Sequence, residues 1–296
     1  MALSYPVFFL LYSVTMLLGI FIGLILVVGW KEIYWRKALA SLKYNAVYVI
    51  LIAFFPLMIQ GQDILEEHFA DQGDTAREVI FTNWIFSLSG GAIRVLQDRL
   101  DYRIVADFFM IIYAWLFTFL LYYAPILLLV KDDRVNLRKY AIAMMFNYAI
   151  LVPFYLLFPV SVSGSHPESG ITPILYADNY WGKMVTSVDP LNNDFPSGHV
   201  SLAMTTLLIF AYAGQEYRRL AYFLTGTTCL IVFAVLYLGV HWPADVFAGF
   251  LVAVFAFVLA GSESVQMTID RYVRMLTEKL FREKVKVPGR SSPPLP

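Results

Sequence analysis

The sequence predicts an all-α fold, namely a polytopic membrane helix bundle with about seven transmembrane helices. Hydrophobic residues make up 59% of the 296 residues, charged residues only 15%, and the mean hydropathy is +0.65. Soluble domains carry about 25% charged residues, so this composition favours the membrane class. The third observation is a series of apolar stretches close to the ~20 residues that a spanning helix requires.

Seven stretches are apolar enough to be interpreted as spans. They are residues 5–29, 44–60, 105–130, 139–159, 197–214, 219–239 and 242–262. The first lacks the basic start of a secretory signal peptide and is too long for one, so we interpret it as a retained span. The second and the fifth are short. An odd number of spans predicts that the two termini lie on opposite sides of the membrane.

The Lys and Arg residues predict the orientation, because cytoplasmic loops carry an excess of them. Of the 22, 17 lie in the segments 30–43, 131–139 and 218–219 and in the tail after residue 262. The other five, all in the alternate loops, are Arg77, Arg94, Arg99, Arg103 and Lys183. We therefore expect the N-terminus outside, meaning a periplasm, cell surface or lumen, and the C-terminus in the cytoplasm.

We expect residues 1–286 to form a single membrane domain. Its expected parts are additional N-terminal spans (1–60), an outer interfacial segment (61–104), a central bundle (about 105–262) and a basic amphipathic cytoplasmic tail (263–286). The outer segment either lies at the interface or covers loops without binding substrate. The tail is expected along anionic headgroups, and residues 287–296, rich in Pro and Ser, are expected to be disordered.

Two histidines and an aspartate stand where two of these spans begin. Residues 237–245 read Tyr-Leu-Gly-Val-His-Trp-Pro-Ala-Asp, and a helix that begins near His241 brings Asp245 to the same face. Pro243 suits the first helical turn. Asp245 would then accept a hydrogen bond from one nitrogen of His241, leaving the other as a nucleophile or base. Alone, this spacing is equally typical of a structural helix end.

The other motif is Phe-Pro-Ser-Gly-His at residues 195–199, which ends an outer loop and opens the fifth span. N–H groups at a helix N-terminus bind anions, and Gly198 permits close approach of the backbone. Ser197 adds a hydroxyl donor, and His199 is placed to protonate a leaving oxygen. A turn with an interfacial histidine would share this pattern, so the motif alone leaves both interpretations open.

Together the two motifs resemble those of the type-2 phosphatidic acid phosphatase superfamily, whose helical core is shared with the vanadium haloperoxidases. The resemblance covers residues 105–262, with sharp matches only at 195–199 and 237–249. It implies a phosphatidic acid phosphatase/haloperoxidase-like core that carries a catalytic site at the outer face.

The resemblance also implies roles for individual residues. His241 would be the nucleophile that forms a phosphohistidine, Asp245 would orient it, and His199 would be the general acid for the leaving lipid alcohol. Ser197 and Gly198 would hold phosphoryl oxygens. Neither a metal nor another cofactor is implied, because catalysis would rest on positioning and fixed donors.

The chain departs from the superfamily at its basic residues. Family members usually carry a Lys and an Arg-Pro in an earlier motif, and a Ser-Arg pair shortly before the second histidine. Here residues 160–166 read Val-Ser-Val-Ser-Gly-Ser-His, and Ala234 and Val235 replace the pair. A phosphomonoester carries about −1.5 to −2 charges and usually meets Arg, whereas a phosphodiester carries about one. Sphingomyelin and inositol phosphorylceramide synthases, which resemble this family, keep the two histidines and the aspartate while relaxing the first motif.

Other basic side chains on the outer side are candidates for replacing the clamp. Lys183 shares a loop with His199 and is the candidate for binding the substrate phosphate, with an ordinary loop lysine as the alternative. The further candidates are Arg94, Arg99 and Arg103. His166 is a possible substrate contact, although we expect a solvated loop histidine there.

Three functions remain open at this point. The leading hypothesis is an integral membrane phosphoesterase that cleaves a lipid or polyisoprenyl phosphate. The alternatives are a phosphotransferase that moves a headgroup to an alcohol, like inositol phosphorylceramide synthase, and a non-enzymatic membrane scaffold. The expected partners are a lipid-linked phosphate and membrane lipids; the net charge of +0 does not indicate nucleic acid. The sequence does not predict the oligomeric state.

Overall fold

The computed structural model describes residues 5–53, 74–89, 91–177, 180–186 and 191–281. In these ranges the regular structure is helical, and the β-type pairing there is a single isolated bridge between Val160 and Asn193. The all-α prediction is confirmed for this part of the chain. Its helices are α1 (Tyr5–Val28), α2 (Trp35–Tyr44), α3 (Ala46–Ala53), α4 (Asp74–Ser89), α5 (Ala92–Arg99), α6 (Arg103–Val130), α7 (Arg134–Leu157), α8 (Tyr180–Thr186), α9 (Gly198–Ala211), α10 (Arg218–Tyr237), α11 (Pro243–Gly261) and α12 (Glu263–Phe281).

Five of these helices are long and apolar enough to cross a membrane, namely α1, α6, α7, α10 and α11. The predicted fifth span corresponds to α9, which has only 14 residues. Such a helix is about 21 Å long, less than the ~30 Å of hydrocarbon in a bilayer. The predicted span 44–60 is described only as far as Ala53. A bundle with several spans is therefore shown, and the count of seven stays a prediction.

The centre of the bundle is α9, which packs against α7, α10 and α11. Polar groups buried there satisfy one another, as they must away from water. The amide of Asn147 in α7 donates to Thr205 Oγ1 at 2.7 Å and accepts from Ser201 Oγ at 3.0 Å. This network fixes the rotation of α9 and hence the direction in which its N-terminal residues point.

Part of α6 is a π-helix, residues Ile111–Leu116, which lies in contact with α10. A π-turn inserts an extra residue into the helical repeat and is frequently found at functional sites. Within it, Tyr113 is turned into the bundle with only 2% of its surface exposed.

The segment predicted to be interfacial forms α4 and α5, two helices bent by 72° relative to each other. Gln97 fixes α5 to the bundle with three hydrogen bonds. Its Nε2 donates to the carbonyls of Thr172 and Tyr237 at 2.9 and 2.8 Å, and its Oε1 accepts from Thr172 N at 2.8 Å. On α4, Phe81 stacks on Phe158 with ring centroids 4.0 Å apart. These two helices are thus packed onto the loops of the bundle.

The predicted amphipathic tail is helical as α12, up to Phe281. Asp270 accepts hydrogen bonds from Arg138 Nη1 in α7 at 2.7 Å and from the hydroxyl of Tyr48 in α3 at 2.6 Å. One face of α12 is therefore held against the bundle by a partly buried ion pair. The expectation of disorder at 287–296 falls outside the described residues.

Candidate active site

The two histidine motifs lie side by side at the same end of the bundle. Residues 195–199 lead into α9, with Ser197 as the N-cap whose Oγ accepts from Val200 N at 3.3 Å. Residues 237–245 lead into α11, where Trp242 is the N-cap and Pro243 the first helical residue. The backbone N–H of Ser197 donates to the carbonyl of Asp245 at 3.0 Å, which joins the two motifs directly.

Two glycines allow this close approach. A Cβ on Gly249 in α11 would lie 2.7 Å from the carbonyl oxygen of Ser197, and one on Gly198 would lie 2.7 Å from the hydroxyl of Tyr155. Both distances are shorter than real Cβ contacts allow. The glycine four residues after Asp245 is thus required so that α11 can pack against the first motif.

A third segment, residues 158–177, holds the motifs together from outside. On one side the N–H of Val160 donates to Asn192 O at 2.9 Å, and on the other the N–H of Ser163 donates to Val240 O at 2.9 Å. Gly239 accommodates the turn before His241 with a φ of 73°. A Cβ at Gly239 would lie 2.5 Å from Thr172 O. The segment where a basic motif was expected thus forms a structural brace.

His241 and Asp245 face each other at the start of α11. Nδ1 of His241 lies 3.6 Å from Oδ2 of Asp245, and both side chains are almost completely buried. The same carboxylate oxygen accepts the backbone N–H of Trp242 at 2.7 Å, which caps α11. The four-residue spacing therefore brings the pair together, with His241 in the turn just before the helix.

His199, in the first turn of α9, completes the group. Its imidazole stacks on Tyr113 with ring centroids 4.2 Å apart and packs against Phe117 at 4.3 Å. The centroids of the His199 and His241 rings are 6.0 Å apart. The π-turn of α6 thus presents an aromatic surface that holds one histidine beside the other.

The structure also brings to His241 a residue that the sequence-based interpretation missed. Oδ1 of Asp194 lies 3.4 Å from Nδ1 of His241, and only 4% of Asp194 is exposed. The available signal was its position, since it immediately precedes the Phe-Pro-Ser-Gly-His segment. A lone acidic residue at the edge of an apolar motif carries too little information to be assigned from one sequence.

The acidic neighbours change the proton affinity of His241. Burial alone would lower the pKa of this imidazole, but the nearby carboxylates of Asp194 and Asp245 outweigh burial and raise the pKa to about 10. Burial raises the pKa of the Asp194 carboxyl to about 7, although the nearby His241 acts in the opposite direction. The two carboxylates therefore favour the protonated form of the His241 imidazole.

Asp194, His241 and Asp245 also have the donor types of a cation site. One potential ligand atom from each lies within 4.8 Å of the others. The three side chains are one imidazole and two carboxylates, and such groups bind either protons or divalent cations. The same atoms can therefore hold either a proton or a cation.

The remaining predicted residues differ in their exposure and contacts. Lys183 lies on α8 with an exposed side chain. Arg94 is also exposed, 4.0 Å from Asp98. His166 is half-buried rather than solvated, since its ring lies 4.8 Å from that of Phe86. Ala234 and Val235, which stand where the family carries Ser-Arg, are completely buried in the bundle.

Comparison with known proteins agrees with the motifs. Residues 165–262 match the model of the PAP2 superfamily. No curated protein matches the chain. Among solved structures, the crystal structure of Aquifex aeolicus LpxE is similar over 58% of this chain and 94% of that chain, with 20% sequence identity and a TM-score of 0.46. The family match confirms the resemblance inferred from the two motifs: residues 165–262 of this helical membrane protein resemble the PAP2 superfamily.

Proposed function

We propose that the protein is an integral membrane phosphoesterase that releases phosphate from a lipid or polyisoprenyl phosphate through a phosphohistidine on His241. The observation that carries the proposal is the meeting of His241, Asp245 and His199 at the N-termini of two adjacent helices, with the imidazoles 6.0 Å apart. A nucleophile, its orienting carboxylate and a second histidine are the groups that such a reaction needs.

In the first step, His241 reacts in its neutral form, with the proton on Nδ1: Nε2 attacks the phosphorus, and the bond between phosphorus and the lipid oxygen breaks. Protonated His199 gives its proton to that oxygen, so the lipid leaves as an alcohol. Asp245 accepts the Nδ1–H of His241 and stabilises the positive charge that develops on the ring. In the second step, His199 takes a proton from water while the water oxygen attacks the phosphorus, and the N–P bond breaks to release phosphate.

The phosphoryl oxygens would be held by the N-terminus of α9. Among the described residues, no carbonyl accepts the N–H groups of Gly198 and His199. Such groups, together with the helix dipole, attract anions. The hydroxyl of Ser197 lies beside them, and Lys183, exposed on α8, is a further proposed phosphate contact.

A phosphotransferase is the second candidate, and one observation favours it. Ala234 and Val235 have no exposed surface, so a bundle packed in this way has no room for the usual Ser-Arg pair. With less cationic support, a substrate phosphate that carries one negative charge suits the site better than one that carries two. The first chemical step would be the same, and a lipid alcohol instead of water would then attack the phosphohistidine.

We also propose that the site is at the outer face, with the N-terminus outside and the C-terminus in the cytoplasm. The support is the distribution of Lys and Arg, which alternates between successive loops along the chain. On this proposal the His241 turn and the loop 158–177 face the periplasm, cell exterior or lumen.

The test is release of inorganic phosphate by the full chain in detergent from a panel of phosphatidic and polyisoprenyl phosphates. We expect release by the wild type, none above background by His241→Ala, and wild-type release by Asp98→Asn. Asp98 provides a matched control because its carboxylate is 71% exposed and lies outside the site.

If the wild type releases no phosphate, the same proteins should be given labelled phosphodiester lipids with an alcohol acceptor. Transfer that is lost in His241→Ala would replace the phosphatase proposal with the phosphotransferase. Failure of both assays would contradict the enzymatic proposal and leave the scaffold, whose cellular role should survive the His241→Ala substitution.

A further inference from the structure

Asp194 is a second buried carboxylate beside the proposed nucleophile. Its Oδ1 lies 3.4 Å from His241 Nδ1, compared with 3.6 Å for Asp245 Oδ2. Of the two carboxylates, the closer one is therefore contributed by the loop before α9, outside the His-x-x-x-Asp spacing.

Hydrogen bonding fixes the backbone of Asp194 and thereby the direction of its side chain. Its N–H donates to Val160 O at 3.1 Å, within the isolated bridge that joins the brace to this loop. Oδ2 of Asp194 has no hydrogen-bond partner among the described residues. A buried carboxylate is costly unless it is paired, and His241 is the titratable partner that it faces.

The Asp245 side chain, by comparison, has two roles. Its Oδ2 accepts the N–H of Trp242 at 2.7 Å, which is a structural bond that caps α11. One carboxylate oxygen therefore serves both the helix cap and His241. Asp194 makes no such structural bond with its side chain in the described part of the chain, so its carboxylate is available to His241 alone.

We propose that Asp194 is a positioning residue which, together with Asp245, accepts the Nδ1–H of His241 and so directs Nε2 toward the substrate phosphorus. This inference rests on the proposed phosphohistidine mechanism. The distances of 3.4 and 3.6 Å exceed those of formed hydrogen bonds, as is common before substrate binds. One N–H shared between two carboxylates holds the ring in one tautomer.

The second carboxylate also stabilises the charged intermediate. When His241 becomes a phosphohistidine, its ring gains positive charge, and two buried anions stabilise that charge more than one does. The titratable groups that face His241 are Asp194 from the loop, Asp245 from α11 and His199 from α9. Of these, Asp194 makes the largest favourable contribution to the raised pKa of His241.

The test compares Asp194→Asn with Asp245→Asn and the exposed control Asp98→Asn in the full chain. We expect kcat of Asp194→Asn to fall about 10- to 100-fold, as for other carboxylates that orient a functional histidine. KM should stay within about twofold, because substrate contacts are retained. The acidic limb of the pH profile of kcat/KM should move about one unit or more to lower pH, since loss of a nearby anion makes the imidazolium a stronger acid.

A purely structural role would leave that limb in place, so an unshifted profile with reduced activity would overturn the proposal. Unchanged kcat with an unchanged profile would overturn it as well. If Asp194→Asn does not fold, Asp194→Ala gives the same comparison. Absence of both phosphate release and transfer in the wild type would instead contradict the proposed function, which keeps the two failures distinguishable.

Treatment with a chelator and then with zinc distinguishes a bound proton from a bound metal cation in the Asp194–His241–Asp245 group. We expect activity to be unaffected by chelation and inhibited by zinc, which would displace the proton from Nδ1. Activity that is lost on chelation and restored by zinc would overturn the positioning role of Asp194 and assign a metal to the group.

Discussion

Gly249 determines how closely the second motif approaches the first. A Cβ there would lie 2.7 Å from Ser197 O and 3.3 Å from Cβ of Val200, both in the segment that forms the N-terminus of α9. Gly249→Ala should therefore push α11 outward, lower the free energy of unfolding by about 1–3 kcal/mol, and reduce kcat. The measurements are a melting curve in detergent and phosphate release.

The control for this substitution is Gly226→Ala in α10. A Cβ at Gly226 meets nothing within 4 Å, and Ala is about 0.5–1 kcal/mol more favourable than Gly inside a helix. We expect its melting temperature and kcat to stay at or above those of the wild type. Equal effects of the two substitutions would contradict the importance of the contact with Ser197.

At the residue scale, the sequence alone predicted the proximity of groups that lie close together along the chain. His241 and Asp245 are four residues apart across the start of α11, so local chain geometry accounts for their proximity. Asp194 comes close to His241 only through the brace at Val160 and the bond between Ser197 and Asp245, which link distant parts of the chain. Such long-range contacts leave no local pattern, which is why Asp194 was missed.

At the scale of elements, Gln97 connects α5 to the end of the bundle that carries the two histidine motifs. Its hydrogen bonds reach Thr172 in the brace and Tyr237 at the end of α10. Gln97→Leu should leave three backbone groups without their partner, at a cost of about 1–3 kcal/mol for each that stays buried. We expect a lower melting temperature and faster hydrogen exchange at residues 171–175 and 237–241.

Gln215→Leu is the matched control, because Gln215 is an exposed residue in the turn before α10. It should leave both measurements unchanged. If Gln97→Leu also left hydrogen exchange unchanged, α5 would not be the element that holds the brace in place.

The sequence predicted that the elements are helices, but it did not predict the length of each helix or the π-turn within α6. The predicted fifth span of residues 197–214 is only Gly198–Ala211 as a helix, because Tyr212 forms the C-cap and a turn follows. The π-turn in α6 was also not foreseen, since residues 105–130 are almost uniformly apolar and give no sign of where the repeat changes. Its consequence, the stacking of Tyr113 on His199, depends on tertiary packing.

At the scale of the whole molecule, the proposed orientation places the His241 turn outside and the turn before α10 in the cytoplasm. In a Cys229→Ser background, Glu168→Cys should react with a membrane-impermeant maleimide added to intact cells. Gln215→Cys should react only after permeabilisation. Both original side chains are exposed, so accessibility should depend on the side of the membrane. The reverse labelling pattern would contradict the orientation derived from Lys and Arg.

The central claim is that His241 carries the phosphoryl group during turnover, and trapping that intermediate tests it most directly. The full chain would be mixed with a lipid phosphate labelled in its phosphorus, quenched in alkali, and its peptides examined for phosphohistidine. We expect label on His241 in the wild type, and a lower steady-state level in Asp194→Asn. No label is expected in His241→Ala. Label that persists in His241→Ala, or phosphate release from the wild type with no labelled histidine at any time point, would contradict the account.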